Sequence, residues 1–225
     1  YDVFLTATDF IMAEKAKSTG LKVIIYDPLT WFWKEMPNAV KGCDLYLSQD
    51  FIGVSALLER YMEKMTGKAI VVPPILQSKM PKRDGQHVLL NFGGLMNPFW
   101  SEEDAIAYAD AMYKGVAEAL PEGEQLLVCA SEKIVEALPH LHAQSYPREE
   151  MLKVLEGSKY AFMTSGLGNI YDAAQFDLPT VWLPPTNDSQ GQQLDMIASE
   201  GYVDVALTWH GLLGVPELDY RKEQA

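Results

Sequence analysis

Short apolar runs alternate with longer amphipathic segments along most of the chain, and this alternation constrains the fold more than any other feature. The runs KVIIYD, HVLLNF and YAFM are typical of strands that are buried in a sheet. The segments between such runs, for example SEEDAIAYADAMYKGVAEAL, place apolar residues at helical spacing. Strand and helix in repeated alternation predict an α/β fold with a parallel sheet.

A change in composition divides the alternating segments into two series. The stretch from Pro73 to Gln86 contains three prolines, a glycine and several charged residues, which is typical of a linker. The sequence therefore predicts two Rossmann-like, doubly wound domains over residues 1–75 and 87–225, joined by a linker over residues 76–86. The first series offers about four strands where such a half usually has five or six, so we expect this domain to be incomplete in this chain.

Charge and cysteine content exclude several classes of function. The formal net charge is −13 and no basic stripe is visible, so a nucleic-acid partner is not expected. The two cysteines, Cys43 and Cys129, are far apart, which favours a reducing, cytoplasmic location and argues against a disulfide framework or a zinc site. No apolar run approaches the roughly 18 residues of a membrane span. His140 and His142 follow a proline in an apparent loop, and no metal site is predicted there.

Two predicted strands of the second series end in glycine-rich loops. One loop, NFGGL, contains Gly93 and Gly94, and the other, TSGLG, contains Gly166 and Gly168. Ligands bind at the carboxyl ends of strands in open α/β sheets, and the N–H groups of a helix that follows favour a phosphate. A tight turn that needs glycine for a positive φ explains either loop equally well, but two such loops in one domain favour phosphate binding.

The predicted strand TVWL is followed by two prolines and a polar segment. Amides with one carboxylate offer both donors and acceptors, which suits a ligand covered with hydroxyl groups. A polar loop capped by Asp188 or Ser189 at the start of a helix is the alternative. The chain contains no G-x-G-x-x-G, no P-loop motif and no Asp-x-Asp, the last being one way to hold a metal and a diphosphate together.

The segment TSGLGNIYDAAQFDLPTVWLPPTNDSQGQQ resembles the donor-binding segment of GT-B glycosyltransferases. The positions of the family pattern are filled by Ser165, Gly166, Asp172, Ala173, Pro179, Pro184, Asp188 and Gln190. The stretches IIYDPLTWFWKEMP and VLLNFGGLMNP are similar to cytosylglucuronate and hydroxymethylcytosylglucuronate synthases, which join the sugar of UDP-glucuronate to a cytosine-type base.

The resemblance implies a GT-B fold in which the second domain holds a UDP-sugar as co-substrate and the first domain holds a small acceptor. It implies no other cofactor and no obligatory metal. The family's acidic ribose contact would be Asp172, which is one methylene shorter than the usual glutamate. The donor site would comprise Gly93, Gly94, Ser165, Gly166, Leu167, Gly168, Asn169, Asp172, Asp188, Gln190 and Gln192.

Asp27 ends the predicted strand KVIIYD and is the residue of this chain that we expect to act as the base of an inverting transfer. The resemblance places the family's usual base in an N-terminal loop, which we expect this chain to lack. Thr30, Trp31 and Trp33 would line the acceptor side, with the indoles forming a wall for a flat acceptor. The alternative is that Asp27 caps a helix and that the tryptophans belong to the core.

Two other functions remain open from the sequence. A UDP-sugar 2-epimerase shares the GT-B layout, but its usual loop, Asp-Ser-Gly-Gly-x-Gln-Glu-Glu, is replaced here by a loop that begins with TSGL. A non-catalytic domain that binds a nucleotide sugar is the second alternative, because the family's usual base is not found in this sequence.

Overall fold

The structure is a computed structural model that describes residues 1–76, 85–95 and 100–220. The chain forms two compact units, residues 1–77 and 78–225. The division between them falls inside the predicted linker over 76–86, most of which lies outside the described residues.

The first unit contains a parallel sheet of four strands in the order β1-β2-β3-β4. The strands are β1 (Val3–Ala7), β2 (Lys22–Asp27), β3 (Leu45–Gln49) and β4 (Lys68–Val72). The helices are α1 (Phe10–Ser18), α2 (Asn38–Gly42) and α3 (Val54–Met62), with a 3₁₀ turn at Thr30–Phe32. The side chain of Asp9 caps α1 by accepting a hydrogen bond from the N–H of Met12.

The three helices of this unit pack on one face of its sheet. That face contributes Val23, Ile25 and Tyr46 to the core, together with apolar residues of all three helices. Successive residues of a strand point to opposite faces, so Val3 and Leu5 of β1 belong to the other face. They are 48% and 65% exposed, and Ile70 of β4 is 49% exposed. Because parallel sheets are normally covered on both faces, this unit matches the expectation of an incomplete domain.

The two faces should respond differently to truncation of one side chain. We expect Ile25→Ala to lower the free energy of unfolding by about 2–5 kcal/mol, because it leaves a cavity in the core. Leu5→Ala should change it by less than about 0.5 kcal/mol, because its side chain is already in water. Urea denaturation of both variants measures the contrast. A loss at Leu5 as large as that at Ile25 would show that the face is covered in solution.

The second unit contains a parallel sheet of five strands in the order β6-β5-β7-β8-β9. The strands are β5 (His87–Asn91), β6 (Leu126–Cys129), β7 (Ser158–Met163), β8 (Thr180–Trp182) and β9 (Val205–Ala206). The helices are α4 (Glu102–Ala119), α5 (Glu132–Ala137), α6 (Arg148–Glu156), α7 (Leu167–Phe176), α8 (Asp188–Ser199) and α9 (Trp209–Leu213). Val88, Leu89 and Leu90 are all fully buried, so β5 is covered on both faces.

The strand order reverses between β5 and β7. The chain runs from β5 to its neighbour β6, crosses back to pair β7 with the other edge of β5, and continues outwards through β8 and β9. Leu90 pairs with Phe162 and Asn91 with Met163, so the two strands end at the same level. In doubly wound sheets such a reversal opens a crevice at the carboxyl ends of the two strands, and ligands bind there.

The predicted strands are present, and the helix starts differ slightly from expectation. The helix after TSG begins at Leu167. α8 begins at Asp188, and its cap is Asn187, whose Oδ1 accepts from the N–H of Gln190 at 2.9 Å. The cap is therefore neither Asp188 nor Ser189. The short elements α2, α5, α9 and β9 were not expected, because they contain too few residues to show a clear period.

Candidate functional site

Buried polar side chains link the glycine-rich loops that follow β5 and β7. Asn91 Nδ2 donates to Asn169 Oδ1 at 3.1 Å. Asn169 Nδ2 donates to the carbonyl oxygen and the Oγ1 of Thr164, at 2.9 and 3.1 Å. Thr164 Oγ1 in turn donates to the carbonyl oxygen of Phe92 at 2.9 Å. These contacts, which we call the asparagine network, fix one loop against the other at the point where the strand order reverses.

Gly93 allows its loop to adopt a backbone conformation that other residues rarely adopt. Its φ is +57°, and a Cβ at this position would lie 3.2 Å from Asn169 Nδ2. Its N–H donates to Asn91 Oδ1 at 2.9 Å, so this N–H is already engaged inside the protein. The tight-turn alternative therefore explains the glycine at position 93, and the place of Gly93 in the donor site stays a prediction. A Cβ at Gly94 would meet no atom within 4 Å, so the site stays open there within the described residues.

The amino end of α7 is open to a ligand. Gly166 occupies the cap position, and no side chain caps this helix. Neither Gly166 nor Gly168 has a positive φ, so a tight turn does not explain these two glycines. The first N–H groups of a helix have no partner inside it, and the helix dipole places about half a positive charge at this end. The loop after β7 therefore offers bare donors to an anionic group.

Gln190 connects the loop after β8 to the start of α7. Its Oε1 accepts from the N–H and the Oγ1 of Thr186, both at 3.0 Å. Ser165 Oγ donates to the carbonyl oxygen of Gln190 at 3.0 Å. Gln190 Nε2 would lie 3.9 Å from a Cβ placed on Gly166, so this donor lies beside the amino end of α7. The engaged Oε1 leaves Nε2 as the atom of this amide that a ligand can use.

Two aromatic side chains donate hydrogen bonds to the Pro184-Pro185 turn. The hydroxyl of Tyr108, on α4, donates to the carbonyl oxygen of Pro184 at 2.8 Å. Trp209 Nε1, on α9, donates to the carbonyl oxygen of Pro185 at 2.8 Å. Burial raises the pKa of Tyr108, so its hydroxyl keeps its proton and remains a donor. The turn that carries the polar segment is thus a rigid part of the unit.

Asp188 and Gln192, two of the residues predicted for the donor site, lie on the first turns of α8. Asp188 is the first residue of the helix and is partly exposed. Gln192 Nε2 donates to the carbonyl oxygen of Tyr220 at 2.9 Å. The contact of either residue with a sugar stays a prediction.

Asp172 is buried in the second turn of α7, with 3% of its surface exposed. Both carboxylate oxygens accept from the guanidinium of Arg148, the first residue of α6, and one of these bonds measures 2.6 Å. The hydrogen bond to Asp172 raises the pKa of Arg148. A ribose hydroxyl would therefore share the carboxylate with this arginine, and the ribose contact stays a prediction. Arg148 was not expected, because no sequence pattern links it to a residue 24 positions away.

The structure corrects the role predicted for Asp27. Its exposed fraction is 0%. Oδ1 accepts from the N–H of Leu29 at 2.7 Å, and Oδ2 accepts from the Tyr46 hydroxyl at 2.7 Å and from Trp33 Nε1 at 2.8 Å. Burial raises the pKa of Asp27, and these bonds oppose the rise. A general base must come within hydrogen-bond reach of its substrate, which this enclosed carboxylate cannot do.

Two of the residues predicted for the acceptor side, Thr30 and Trp31, are also part of the interior of the first unit. Thr30 is fully buried, and its Oγ1 accepts from Ser48 Oγ at 2.7 Å. Trp31 is 9% exposed and packs against Phe51 with ring centroids 5.5 Å apart. Trp33 packs edge-to-face on Phe10. The alternative that the tryptophans belong to the core therefore holds for Trp31, and the burial of Thr30 removes it from the acceptor side as well.

Neither a metal cluster nor a membrane helix is found in the part of the chain that the structure describes. No three His, Cys, Asp or Glu side chains there are placed to hold a metal ion. His140 Nε2 lies 2.8 Å from Asp110 Oδ1 at the surface. No helix over the same residues is long and apolar enough to cross a membrane.

Burial raises the pKa of the free thiols of Cys43 and Cys129 to about 11 and about 12.

A structural role for Asp27 predicts an effect on stability without an effect on ligand binding. Asp27→Ala leaves three donors without their acceptor in the interior, so we expect the first unit to lose about 3 kcal/mol of unfolding free energy. The affinity of the second unit for UDP should not change. Chemical denaturation and calorimetry measure the two quantities. Tyr46→Phe, which removes one of the three donors, is the matched control and should cost less. An unchanged stability would contradict the structural role.

Comparison with known proteins identifies the architecture. The sequence matches no family model and no curated protein. Among solved structures, the chain is similar to UGT89C1 of Arabidopsis thaliana, a plant UDP-glycosyltransferase, with a TM-score of 0.56 and 14% sequence identity. The match covers 92% of this chain and 58% of that protein, so the chain spans less than two thirds of its length. Parallel α/β sheets and this neighbour together show a GT-B fold of which the chain holds a part.

Proposed function

We propose that this chain belongs to a glycosyltransferase that moves a sugar from a UDP-sugar to a small acceptor, with the donor held by the second unit. The observation that carries the proposal is the uncapped amino end of α7 beside the loop after β5, where the strand order reverses. Doubly wound sheets bind nucleotides at this place, and the amino end of a helix favours a diphosphate.

The arrangement suits the departure of a nucleoside diphosphate. When the bond between the sugar carbon and the phosphate oxygen breaks, negative charge develops on that oxygen. The N–H groups at Leu167 and Gly168 are fixed donors beside this position. Preorganised donors of this kind stabilise developing charge without reorganisation during the reaction. The proposal therefore requires no metal to neutralise the leaving group.

The asparagine network supports this chemistry indirectly. It orients the loop after β5 against the start of α7 through buried bonds of 2.9 to 3.1 Å. A site whose donors are held by buried neighbours keeps its geometry before the ligand arrives, which lowers the entropy lost on binding.

The finer assignment follows the resemblance to cytosylglucuronate and hydroxymethylcytosylglucuronate synthases. We propose UDP-glucuronate as the donor and a cytosine-type base as the acceptor. The stretch IIYDPLTWFWKEMP supports this only as a sequence likeness, because Asp27, Thr30 and Trp31 within it are buried. An inverting transfer would then need a base from a part of the protein other than these three residues.

The alternative of a non-catalytic domain that binds a nucleotide sugar gains support from one observation. Asp27, the candidate base of this sequence, is enclosed in the first unit. A UDP-sugar 2-epimerase remains the second alternative. Incubation of the longest natural form of the protein with UDP-glucuronate, with and without cytosine or hydroxymethylcytosine, separates the three. Release of UDP only with acceptor supports transfer, a new UDP-sugar supports epimerisation, and an unchanged donor supports binding alone.

The open end of α7 predicts UDP binding that does not need a metal. We expect calorimetry to give the same affinity for UDP in EDTA and in magnesium. Gly168→Glu should lower that affinity about tenfold or more, because a carboxylate at the amino end of the helix competes with the diphosphate. The same substitution should not lower the melting temperature, since an acidic residue is favourable in the first turn.

Gly168→Ala is the control for this experiment, because a Cβ at that position meets no atom within 4 Å. It should bind UDP as the unaltered chain does. Binding that disappears in EDTA and returns with magnesium or manganese would contradict the metal-free site. Full affinity in Gly168→Glu would exclude the amino end of α7 as the diphosphate site.

The ribose contact of Asp172 can be separated from its pair with Arg148. Charge-assisted hydrogen bonds contribute roughly 1.5–3 kcal/mol each, so loss of one by Asp172→Asn should weaken UDP about tenfold. The unaltered chain should prefer UDP to 2′,3′-dideoxy-UDP, and the variant should lose this preference. Breaking the ion pair lowers the melting temperature in either case. A variant that keeps the preference would show that Asp172 serves only Arg148.

A further inference from the structure

The last described residues of the chain return to the first turns of α8. α9 ends at Leu213, and Gly214 follows with a φ of +65° and donates its N–H to the carbonyl oxygen of His210 at 2.8 Å. The Nδ1 of His210 lies 2.7 Å from the carbonyl oxygen of Val215. These contacts fix the reversal of the chain after α9. We call residues 215–220 the return segment.

The return segment ends with Tyr220 packed directly on Gly191. A Cβ on Gly191 would lie 2.1 to 2.4 Å from three carbons of the Tyr220 ring, which is closer than any side chain can approach. Gly191 has no positive φ, so backbone conformation does not require glycine here. A helix interior disfavours glycine relative to alanine. The aromatic ring is therefore the physical reason for glycine at this position of α8.

A hydrogen bond joins the return segment to the next residue of the helix. Gln192 Nε2 donates to the carbonyl oxygen of Tyr220 at 2.9 Å. One N–H of this amide is engaged, and the amide oxygen of Gln192 remains an acceptor that it can offer to a ligand. Gln190, on the other side of Gly191, differs, because its Oε1 accepts two bonds from Thr186 and its Nε2 is available. The acceptor of Gln192 and the donor of Gln190 thus lie on either side of Gly191.

We propose that Tyr220 is a positioning residue for the donor sugar. By packing on Gly191 and accepting from Gln192, it holds the first turns of α8 so that Gln190 donates to a sugar oxygen and Gln192 accepts from a sugar hydroxyl. This proposal rests on the proposed function, and it assigns Tyr220 no contact with the ligand. The phenol keeps its proton, because burial and then the nearby Asp195 and Asp188 raise the pKa of Tyr220.

The contact can be broken from either side. Tyr220→Ala removes the ring, and Gly191→Ala excludes the ring by filling its place. We expect each variant to weaken UDP-glucuronate and UDP-glucose about tenfold, the equivalent of one hydrogen bond, and to leave UDP itself within about twofold. The double variant should be no worse than either single variant, because both changes remove the same contact. Calorimetry with the three ligands measures these affinities.

Two control variants accompany this comparison of single and double variants. Tyr220→Phe keeps the ring and the backbone carbonyl, so it should bind all three ligands as the unaltered chain does. Gly115→Ala tests a helix glycine whose Cβ meets no atom within 4 Å. It should raise the melting temperature and leave binding unchanged. Gly191→Ala should lower the melting temperature of the unaltered chain but raise it in the Tyr220→Ala background.

The outcomes separate this proposal from the proposed function. Normal affinity for the UDP-sugars in Tyr220→Ala, or an equal loss for UDP and UDP-sugars, overturns the positioning role and leaves the donor site in place. If the unaltered chain binds neither UDP nor the UDP-sugars, the proposed function fails and the positioning role falls with it. In that case the melting temperatures still test whether Tyr220 packs on Gly191. Additive effects of Gly191→Ala and Tyr220→Ala on the melting temperature would contradict that contact.

Discussion

The hydrogen bonds of Asn169 are the interactions on which the candidate site of the second unit depends. Asn169 accepts from Asn91 and donates to Thr164, so one side chain of α7 joins the ends of β5 and β7. All three residues are buried, where an unpaired amide would be destabilising. The bonds therefore hold the start of α7 against the ends of both strands.

The remaining walls of the site are held by the same means. Tyr108 and Trp209 donate to the carbonyl oxygens of the Pro184-Pro185 turn, and Gln190 binds Thr186 and Ser165 across two loops. The two bonds to the Oε1 of Gln190 leave its Nε2 for a ligand. The result is a cluster of preformed donors at the start of α7, which is the physical basis for proposing that it binds a diphosphate.

The first unit uses its polar side chains for a different purpose. Asp27 accepts from Leu29, Tyr46 and Trp33 at the carboxyl end of β2, where a ligand would otherwise be expected. This network closes the interior of the unit on the face that carries its helices. The opposite face of the sheet keeps Val3, Leu5 and Ile70 exposed. The acceptor and the base of the proposed reaction must therefore be sought beyond Asp27, Thr30 and Trp31.

The sequence by itself determined the strands, the longer helices, the two glycine-rich loops and the α/β class, because hydrophobic period and turn residues act over a few neighbours. It also predicted which loops carry polar groups. Only the tertiary structure decided that Asn91 bonds to Asn169, that Asp172 pairs with Arg148, and that Asp27 is enclosed. These facts depend on which distant segments meet. Strand order and helix packing determine which distant segments come into contact, and no local pattern in the sequence encodes those contacts.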